Sequence, residues 1–264
     1  MSAIDMHAHA FPDSLAPRAI AALEAECPWK AVADGTVGSL LKSMDAADID
    51  VSVLCTIATK PDQVEGIVGW CRKVRSDRID VLPSVHPKTP DAAGWIRRFA
   101  DEGFAGIKLH PMYQDFALDD PSMDDVYAAA AQCRLLITAH CGRDIAFPPD
   151  DDRASPERIV RVIDRHPDLT LVCTHLGGWR MWDEVEKLLL GREVYLETSF
   201  SLDELDPARA AEMILTHGED RVMFGTDWPW QRQEESLALL RKLPLTDAQR
   251  RKVLWSNAAN LLGY

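Results

Sequence analysis

Long apolar runs and excess positive charge are both missing from this chain of 264 residues. No stretch approaches the roughly 20 apolar residues that a membrane-spanning helix needs, and no secretory leader is visible at the start. The 29 lysines and arginines are outnumbered by 42 acidic residues, which leaves a net charge of -13. Such a charge disfavours nucleic acid and anionic membranes as partners. We therefore expect a cytoplasmic protein whose partner is a small molecule.

The sequence also lacks Cys-x-x-Cys pairs and the Gly-x-Gly-x-x-Gly pattern of a phosphate-binding loop. Its six cysteines are scattered, and Cys55 and Cys173 lie in apolar runs where buried thiols are common. This distribution is typical of a reducing compartment rather than of a disulfide framework. The absence of the glycine pattern disfavours an open, doubly wound sheet that binds a nucleotide.

What the chain does contain is one unit repeated, a short apolar run followed by a helical stretch. The segment 10–35, which carries three prolines, is predicted to be irregular. Eight strands alternating with helices predict an α/β fold, a parallel (β/α)8 TIM barrel, as one domain over residues 1–264. The predicted strands are 4–9, 51–56, 79–85, 106–110, 135–140, 169–175, 194–198 and 222–227.

Polar side chains collect at the ends of these predicted strands. Six of the eight histidines lie there, whereas His166 and His217 fall where helices end. Active sites of such barrels gather at the carboxyl ends of the strands, and imidazoles with one carboxylate suit zinc or a similar divalent ion. The strand-end residues that would form this site are His7, His9, His86, Lys108, His110, His140, His175 and Asp227.

Six short motifs in a specific order cover nearly the whole chain. They span residues 5–9, 106–111, 138–140, 174–178, 224–229 and 257–262. In these motifs the chain resembles the amidohydrolase superfamily of metal-dependent barrel enzymes. Within it, the resemblance is closest to the amidohydrolase 2 branch, which includes aminocarboxymuconate-semialdehyde decarboxylase and related decarboxylases, hydratases and lactonases.

The resemblance implies a divalent metal, zinc with manganese as the alternative, bound by His7, His9, His140 and Asp227. Asp227 would also accept a proton from metal-bound water as a general base. In mononuclear relatives the histidine at His175 polarises a substrate oxygen or carries a proton. In binuclear relatives it binds a second metal that a carboxylated lysine bridges, and Lys108 is placed for that role. One ion is favoured over two.

Three further residues are predicted to bind substrate, and each has a structural alternative. Lys108 could instead form an internal ion pair, His110 could bond within the turn at Pro111, and His86 could support a strand end. A loop arginine could also clamp a substrate carboxylate. The candidates are Arg143, Arg153 and Arg180.

The leading functional hypothesis is a metal-dependent hydrolase. Metal-activated water would attack an amide, lactone or ester bond of a small, carboxylated substrate. The first alternative is a non-oxidative decarboxylase or hydratase of a carboxylated ring or unsaturated acid. A catalytically inert binding protein on the same barrel is the second alternative, and a homodimer is left open.

Overall fold

The computed structural model describes residues 2–264, and each predicted apolar run contains a strand. The strands are β1 (Ile4–Ala8), β2 (Val51–Cys55), β3 (Ile79–Leu82), β4 (Gly106–Leu109), β5 (Leu136–Ala139), β6 (Leu171–Cys173), β7 (Tyr195–Glu197) and β8 (Val222–Met223).

Helices separate successive strands and follow the last one. They are α1 (Ala16–Glu26), α2 (Val37–Ala47), α3 (Val64–Val74), α4 (Ala92–Asp101), α5 (Pro111–Gln114), α6 (Asp124–Cys133), α7 (Pro156–Arg165), α8 (Trp182–Leu188), α9 (Pro207–His217), α10 (Gln233–Lys242), α11 (Asp247–Arg251) and α12 (Asn257–Leu262). Short 3₁₀ turns occupy Pro121–Met123, His175–Gly177 and Glu219–Arg221, and a π-helical turn spans Lys252–Ser256. Among the helices described, none combines the length and apolar character needed to cross a membrane.

The contacts within the chain divide it into two compact units. The first unit comprises the chain up to Leu54 together with Val74–Asp80 and Glu197–Tyr264, and the second comprises Cys55–Lys73 and Val81–Leu196. The expectation of a single domain over 1–264 stays a prediction.

In the first unit, β1 pairs in parallel with β2 on one side, with Ile4 opposite Val51. On its other side, Met6 N donates to Phe224 O at 2.9 Å, just beyond β8. Thr198 N donates to Met223 O at 3.1 Å and joins the end of β7 to β8. Every residue of β1 is buried, so this strand is central to the core of the unit.

In the second unit, β4, β5 and β6 form a continuous parallel ladder. Lys108 lies opposite Thr138, and Ala139 lies opposite Cys173. Lys108 N also donates to Pro83 O at 2.9 Å, which links β4 to the segment after β3. β2 also pairs with β3, and β6 pairs with β7. Each strand therefore bonds to the next in chain order, and the chain just after β8 bonds back to β1. This is the strand order of the (β/α)8 barrel, and the predicted fold class is confirmed.

The strands end earlier than the sequence predicts. The eighth was expected to extend through Asp227 but ends at Met223, and the sixth ends at Cys173 rather than His175. His175 and Asp227 both adopt left-handed backbone conformations, with φ of 59° and 62°. A side chain in that conformation leaves the strand's alternation of faces. Counting faces along the strand therefore does not give the direction of these two side chains.

The segment 10–35 was predicted to be irregular, and this prediction is wrong in part, because α1 occupies Ala16–Glu26. Pro17 falls in the first turn of that helix, where no backbone N–H is needed for the helical ladder. The proline therefore marks the start of a helix and does not exclude one.

Gly142 lies in the long loop after β5. Both its backbone conformation and its close neighbours require a glycine at this position. Its φ is +87°, and a Cβ there would lie 2.1 Å from Trp179 N. We expect Gly142→Ala to lower the free energy of unfolding by about 2 kcal/mol or more, since strain and overpacking each cost about 1–3 kcal/mol. Gly66→Ala in α3, where nothing lies within 4 Å, is the matched control. We expect it to be neutral or stabilising by about 0.5–1 kcal/mol in urea unfolding; equal losses in both variants would contradict the packing argument.

Candidate metal centre

Three predicted ligands meet in the first unit, at the end of β1 and just after β8. His7 Nε2 lies 3.1 Å from His9 Nε2 and 3.3 Å from Asp227 Oδ1. His9 Nε2 lies 3.0 Å from the same Asp227 oxygen. The His7 side chain is 1% exposed, while His9 and Asp227 are 14% and 13% exposed. Two imidazole nitrogens and one carboxylate oxygen thus converge at a largely buried place.

Backbone hydrogen bonds bring these three residues together. Asp227 N donates to His7 O at 2.7 Å, and His9 N donates to Trp228 O at 2.5 Å. A parallel bridge pairs Ala8 with Trp228. The carboxyl end of β1 and the chain after β8 are therefore held in register, which places Asp227 beside the two histidines.

The buried side chain of Asp5 adds hydrogen bonds between β1 and the chain after β8. Its Oδ1 accepts from His7 N at 3.1 Å and from Thr226 N at 3.0 Å. Its Oδ2 accepts from Thr226 Oγ1 at 2.6 Å and from Gln233 Nε2 at 2.7 Å. Complete burial raises the pKa of Asp5 to about 7, against the hydrogen bonds from Thr226 and Gln233, which lower it. The carboxyl group joins β1, the chain after β8 and the first residue of α10.

A second completely buried carboxyl group, that of Glu197, lies beside the Nδ1 atom of His7. Glu197 Oε1 is 3.0 Å from His7 Nδ1, and Ser199 Oγ is 3.2 Å from the same nitrogen. Ser199 in turn donates from Oγ to Glu197 Oε1 at 2.7 Å and from its backbone N to Oε2 at 2.8 Å. The two ring nitrogens of His7 therefore face different partners.

The geometry of the three donors fits a divalent metal. Bonds of about 2.0–2.1 Å at tetrahedral angles place neighbouring ligand atoms about 3.3 Å apart, and the observed separations are 3.0–3.3 Å. Neutral imidazole and carboxylate are ligands that zinc and manganese both accept. The donor set of His7, His9 and Asp227 thus has both the chemistry and the spacing of a metal centre.

The second unit contains a row of three imidazoles after β4, β5 and β6. The rings of His110 and His140 stack with centroids 4.1 Å apart. His175 Nε2 lies 3.1 Å from His140 Nδ1. Asp144 flanks the row, with Oδ2 3.3 Å from His110 Nε2 and 4.0 Å from His140 Nε2. Three of the predicted site residues are thus in contact with each other.

His140 is held as a neutral ring in this row. Burial lowers its pKa well below the usual value, and the neighbouring His110 and His175 lower it further, while Asp144 acts in the opposite direction. His140 Nε2 is 3.0 Å from Arg143 O, and a carbonyl oxygen can only accept. Nε2 therefore donates, and the lone pair of the neutral ring is on Nδ1.

Two other predicted residues of the second unit occupy different surroundings. Lys108 lies within β4 and is completely buried. His86 Nδ1 accepts a hydrogen bond from Lys88 N at 3.1 Å in the turn after β3. Among the candidate arginines, Arg153 pairs with Asp151 at 2.5 Å and Arg180 stacks on Trp179 at 4.1 Å.

Sequence reasoning did not assign Asp144, Glu197 or Ser199 to the site. Glu197 is the last residue of β7, a position that the strand-end argument could have included. Ser199 follows the strand, and Asp144 lies in a loop, where no periodic pattern marks a residue. Their contacts with histidines arise from tertiary structure and have no separate signal in the sequence.

Comparison with known proteins agrees with the fold. A protein of Bordetella bronchiseptica described as a TIM-barrel protein has a TM-score of 0.77 at 20% identity, over 100% of this chain and 99% of its own. The 5-carboxyvanillate decarboxylase of Novosphingobium aromaticivorans, solved with manganese and a nitrobenzoic acid, has a TM-score of 0.73 at 16% identity, over 99% of this chain and 96% of its own. At these identities the likeness establishes the barrel.

A curated relative is the gamma-resorcylate decarboxylase of a Polaromonas species. It is 27% identical over 117 residues, which are 38% of this chain and 36% of that enzyme. The chain therefore aligns with about a third of that relative's length.

The barrel and the family match together define an enzyme of the amidohydrolase class. The family described as Amidohydrolase matches residues 4–264, and the chain belongs to this family. The resemblance predicted from the six motifs is confirmed. The two enzymes named here, those of Polaromonas and Novosphingobium, are decarboxylases, the class of reaction that the sequence analysis placed second.

Proposed function

We propose that this enzyme is a metal-dependent, non-oxidative decarboxylase of a small carboxylated ring compound. The observation that carries the proposal is the set of three ligand atoms on His7, His9 and Asp227, all within 3.3 Å of each other. The choice of decarboxylation over hydrolysis is supported by the decarboxylase relatives. Zinc and manganese are the candidate ions, and one ion per chain is proposed.

Non-oxidative decarboxylation breaks the bond between a ring carbon and its carboxyl group, releases CO₂ and places a proton on that carbon. A bound divalent ion would supply a Lewis acid that orients the oxygen atoms of the substrate and offsets their charge. His7, His9 and Asp227 would hold this ion. His140, predicted as a fourth ligand, has its lone pair on Nδ1, and its part in the centre stays a proposal.

The proton that is placed on the ring carbon must come from a side chain that can take up another proton after each turnover. We assign this task to His175, with Asp227 as the alternative carrier, because imidazole transfers protons near neutral pH. His175 Nε2 already lies in a hydrogen-bond contact with His140, so the ring is oriented. Its carbonyl oxygen accepts from Trp182 Nε1 at 3.1 Å, which restrains the left-handed backbone of the residue.

Substrate binding is assigned to Lys108, His110 and His86. Lys108 lies near the end of β4, and a lysine side chain suits a carboxylate. His110 offers a ring edge between Tyr113 and His140, with centroid distances of 4.7 Å and 4.1 Å. Aromatic rings pack well in such surroundings. These assignments favour a planar, carboxylated substrate.

The proposal is tested with protein loaded with zinc or manganese and incubated with gamma-resorcylate or 5-carboxyvanillate. We expect release of CO₂ together with the decarboxylated ring, dependent on the metal. A parallel panel of lactones, esters and amides tests the hydrolase hypothesis. Metal-dependent turnover on that panel, with none on carboxylated rings, would overturn the decarboxylase proposal.

A further inference from the structure

A buried carboxylate outside the proposed ligand set, Glu197, contacts the metal centre through His7. It lies at the end of β7 with no exposed surface. Burying an ionised carboxylate is costly unless hydrogen bonds compensate it. Both of its oxygens are engaged, Oε1 with His7 Nδ1 and Ser199 Oγ, and Oε2 with Ser199 N. The chain thus maintains a fully hydrogen-bonded carboxyl group directly behind a candidate ligand.

The hydrogen bonds determine where the proton of His7 lies. The single hydroxyl proton of Ser199 is donated to Glu197 Oε1 at 2.7 Å. Ser199 Oγ can therefore only accept from His7 Nδ1, and Glu197 Oε1 also accepts. Since both atoms that face Nδ1 are acceptors, Nδ1 carries the proton and Nε2 carries the lone pair. Nε2 is the atom that points at His9 and Asp227.

The chain just after β8 leaves room for the Glu197 carboxylate at one position, Gly225. A Cβ on Gly225 would lie 2.1 Å from Glu197 Oε2 and 3.2 Å from His7 Cβ. The φ of Gly225 is not in the left-handed region, so any residue could adopt its backbone conformation. The glycine is therefore needed for space and not for conformation. Glu197 and Gly225 form a matched pair across β7 and the chain after β8.

We propose that Glu197, held by Ser199 and accommodated by Gly225, is a positioning residue that keeps His7 in the Nε2 lone-pair form required of a metal ligand. A carboxylate behind a metal-binding histidine orients the ring and raises its basicity, and losing it lowers metal affinity about 10–100-fold. The inference rests on the proposed metal centre and adds to it the residues that preorganise it.

The first test measures the affinity of metal-free protein for Zn²⁺ by competition with a chromophoric chelator. We expect Glu197→Gln to bind Zn²⁺ about 10–100-fold more weakly than the wild type, since an amide NH₂ group would oppose the N–H of Ser199. Glu212→Gln, an exposed change on α9 in the same unit, is the matched control and should bind Zn²⁺ as the wild type does. Equal affinity in Glu197→Gln and the control would overturn the positioning role.

The second test reads the proton position directly in the wild-type protein without metal, and a variant serves only to assign the signals. Ring ¹H–¹⁵N correlation spectra, assigned with His7→Asn, report which nitrogen of His7 is protonated. We expect a protonated Nδ1 and an unprotonated Nε2, and a protonated Nε2 in the neutral ring would overturn the proposal. Failure of the wild type to bind Zn²⁺ would overturn the metal centre itself, whereas binding without decarboxylation would overturn only the proposed reaction.

Discussion

Replacement of His9 by alanine is expected to remove both the bound metal and the activity of the enzyme. His9 Nε2 lies 3.1 Å from His7 Nε2 and 3.0 Å from Asp227 Oδ1, so the change deletes one of three converging donors. Loss of a ligand should exceed the 10–100-fold loss of affinity typical of changes behind a ligand. Elemental analysis of protein purified without chelator should show about one ion in the wild type and almost none in His9→Ala.

The control for this prediction is His166→Ala. His166 pairs with Asp124 at 2.9 Å, at the end of α7, and lies outside the proposed site. We expect its metal content and turnover to equal those of the wild type. Retention of a full complement of metal by His9→Ala would exclude His9 as a ligand.

The second large effect is expected from His175→Asn, which should keep the metal and lose turnover. His175 is assigned to proton transfer, and removal of a general acid or base lowers rates about 10²–10⁴-fold. Asparagine retains a polar side chain beside His140 but cannot carry a proton near neutral pH. The measurements are metal per chain and the rate of CO₂ release, with His166→Asn as the matched control.

The same variant distinguishes one metal from two. If His175 binds a second ion that Lys108 helps to bridge, His175→Asn should contain half the metal of the wild type. A full complement of metal with lost turnover supports the mononuclear centre. Unchanged turnover would remove His175 from the catalytic residues altogether.

Much of the architecture could be predicted from local patterns. Each of the eight apolar runs contains a strand because a strand buried on both faces must be apolar along its length. The strand ends were less predictable. The run predicted through Asp227 ends at Met223, where Phe224 N donates to Val253 O of the π-helical turn and not to a neighbouring strand. Proline was a misleading signal in the segment 10–35, where Pro17 lies in the first turn of α1.

The candidate site was predictable to a similar degree. His-x-His at the end of β1 and Asp227 after β8 could be named from their positions at strand ends, and the structure brings them together. His86 has two interpretations, substrate contact and strand-end support, and its Nδ1 accepts a bond from Lys88 N; its role in substrate binding stays a prediction. Asp144 could not have been named, because its contact with His110 depends on the path of a loop without periodicity.

The sequence by itself determined the alternation of strands and helices, the barrel fold and the family, because these depend on periodicity and on motifs that are local along the chain. Only the tertiary structure decided how the proposed metal centre is supported. Asp5 and Thr226 are 221 positions apart and meet in one hydrogen bond. Glu197 reaches His7 because Gly225 has no side chain. Such contacts join distant segments, and the physical reason they escape sequence reasoning is that strand pairing, and not chain proximity, brings them within bonding distance.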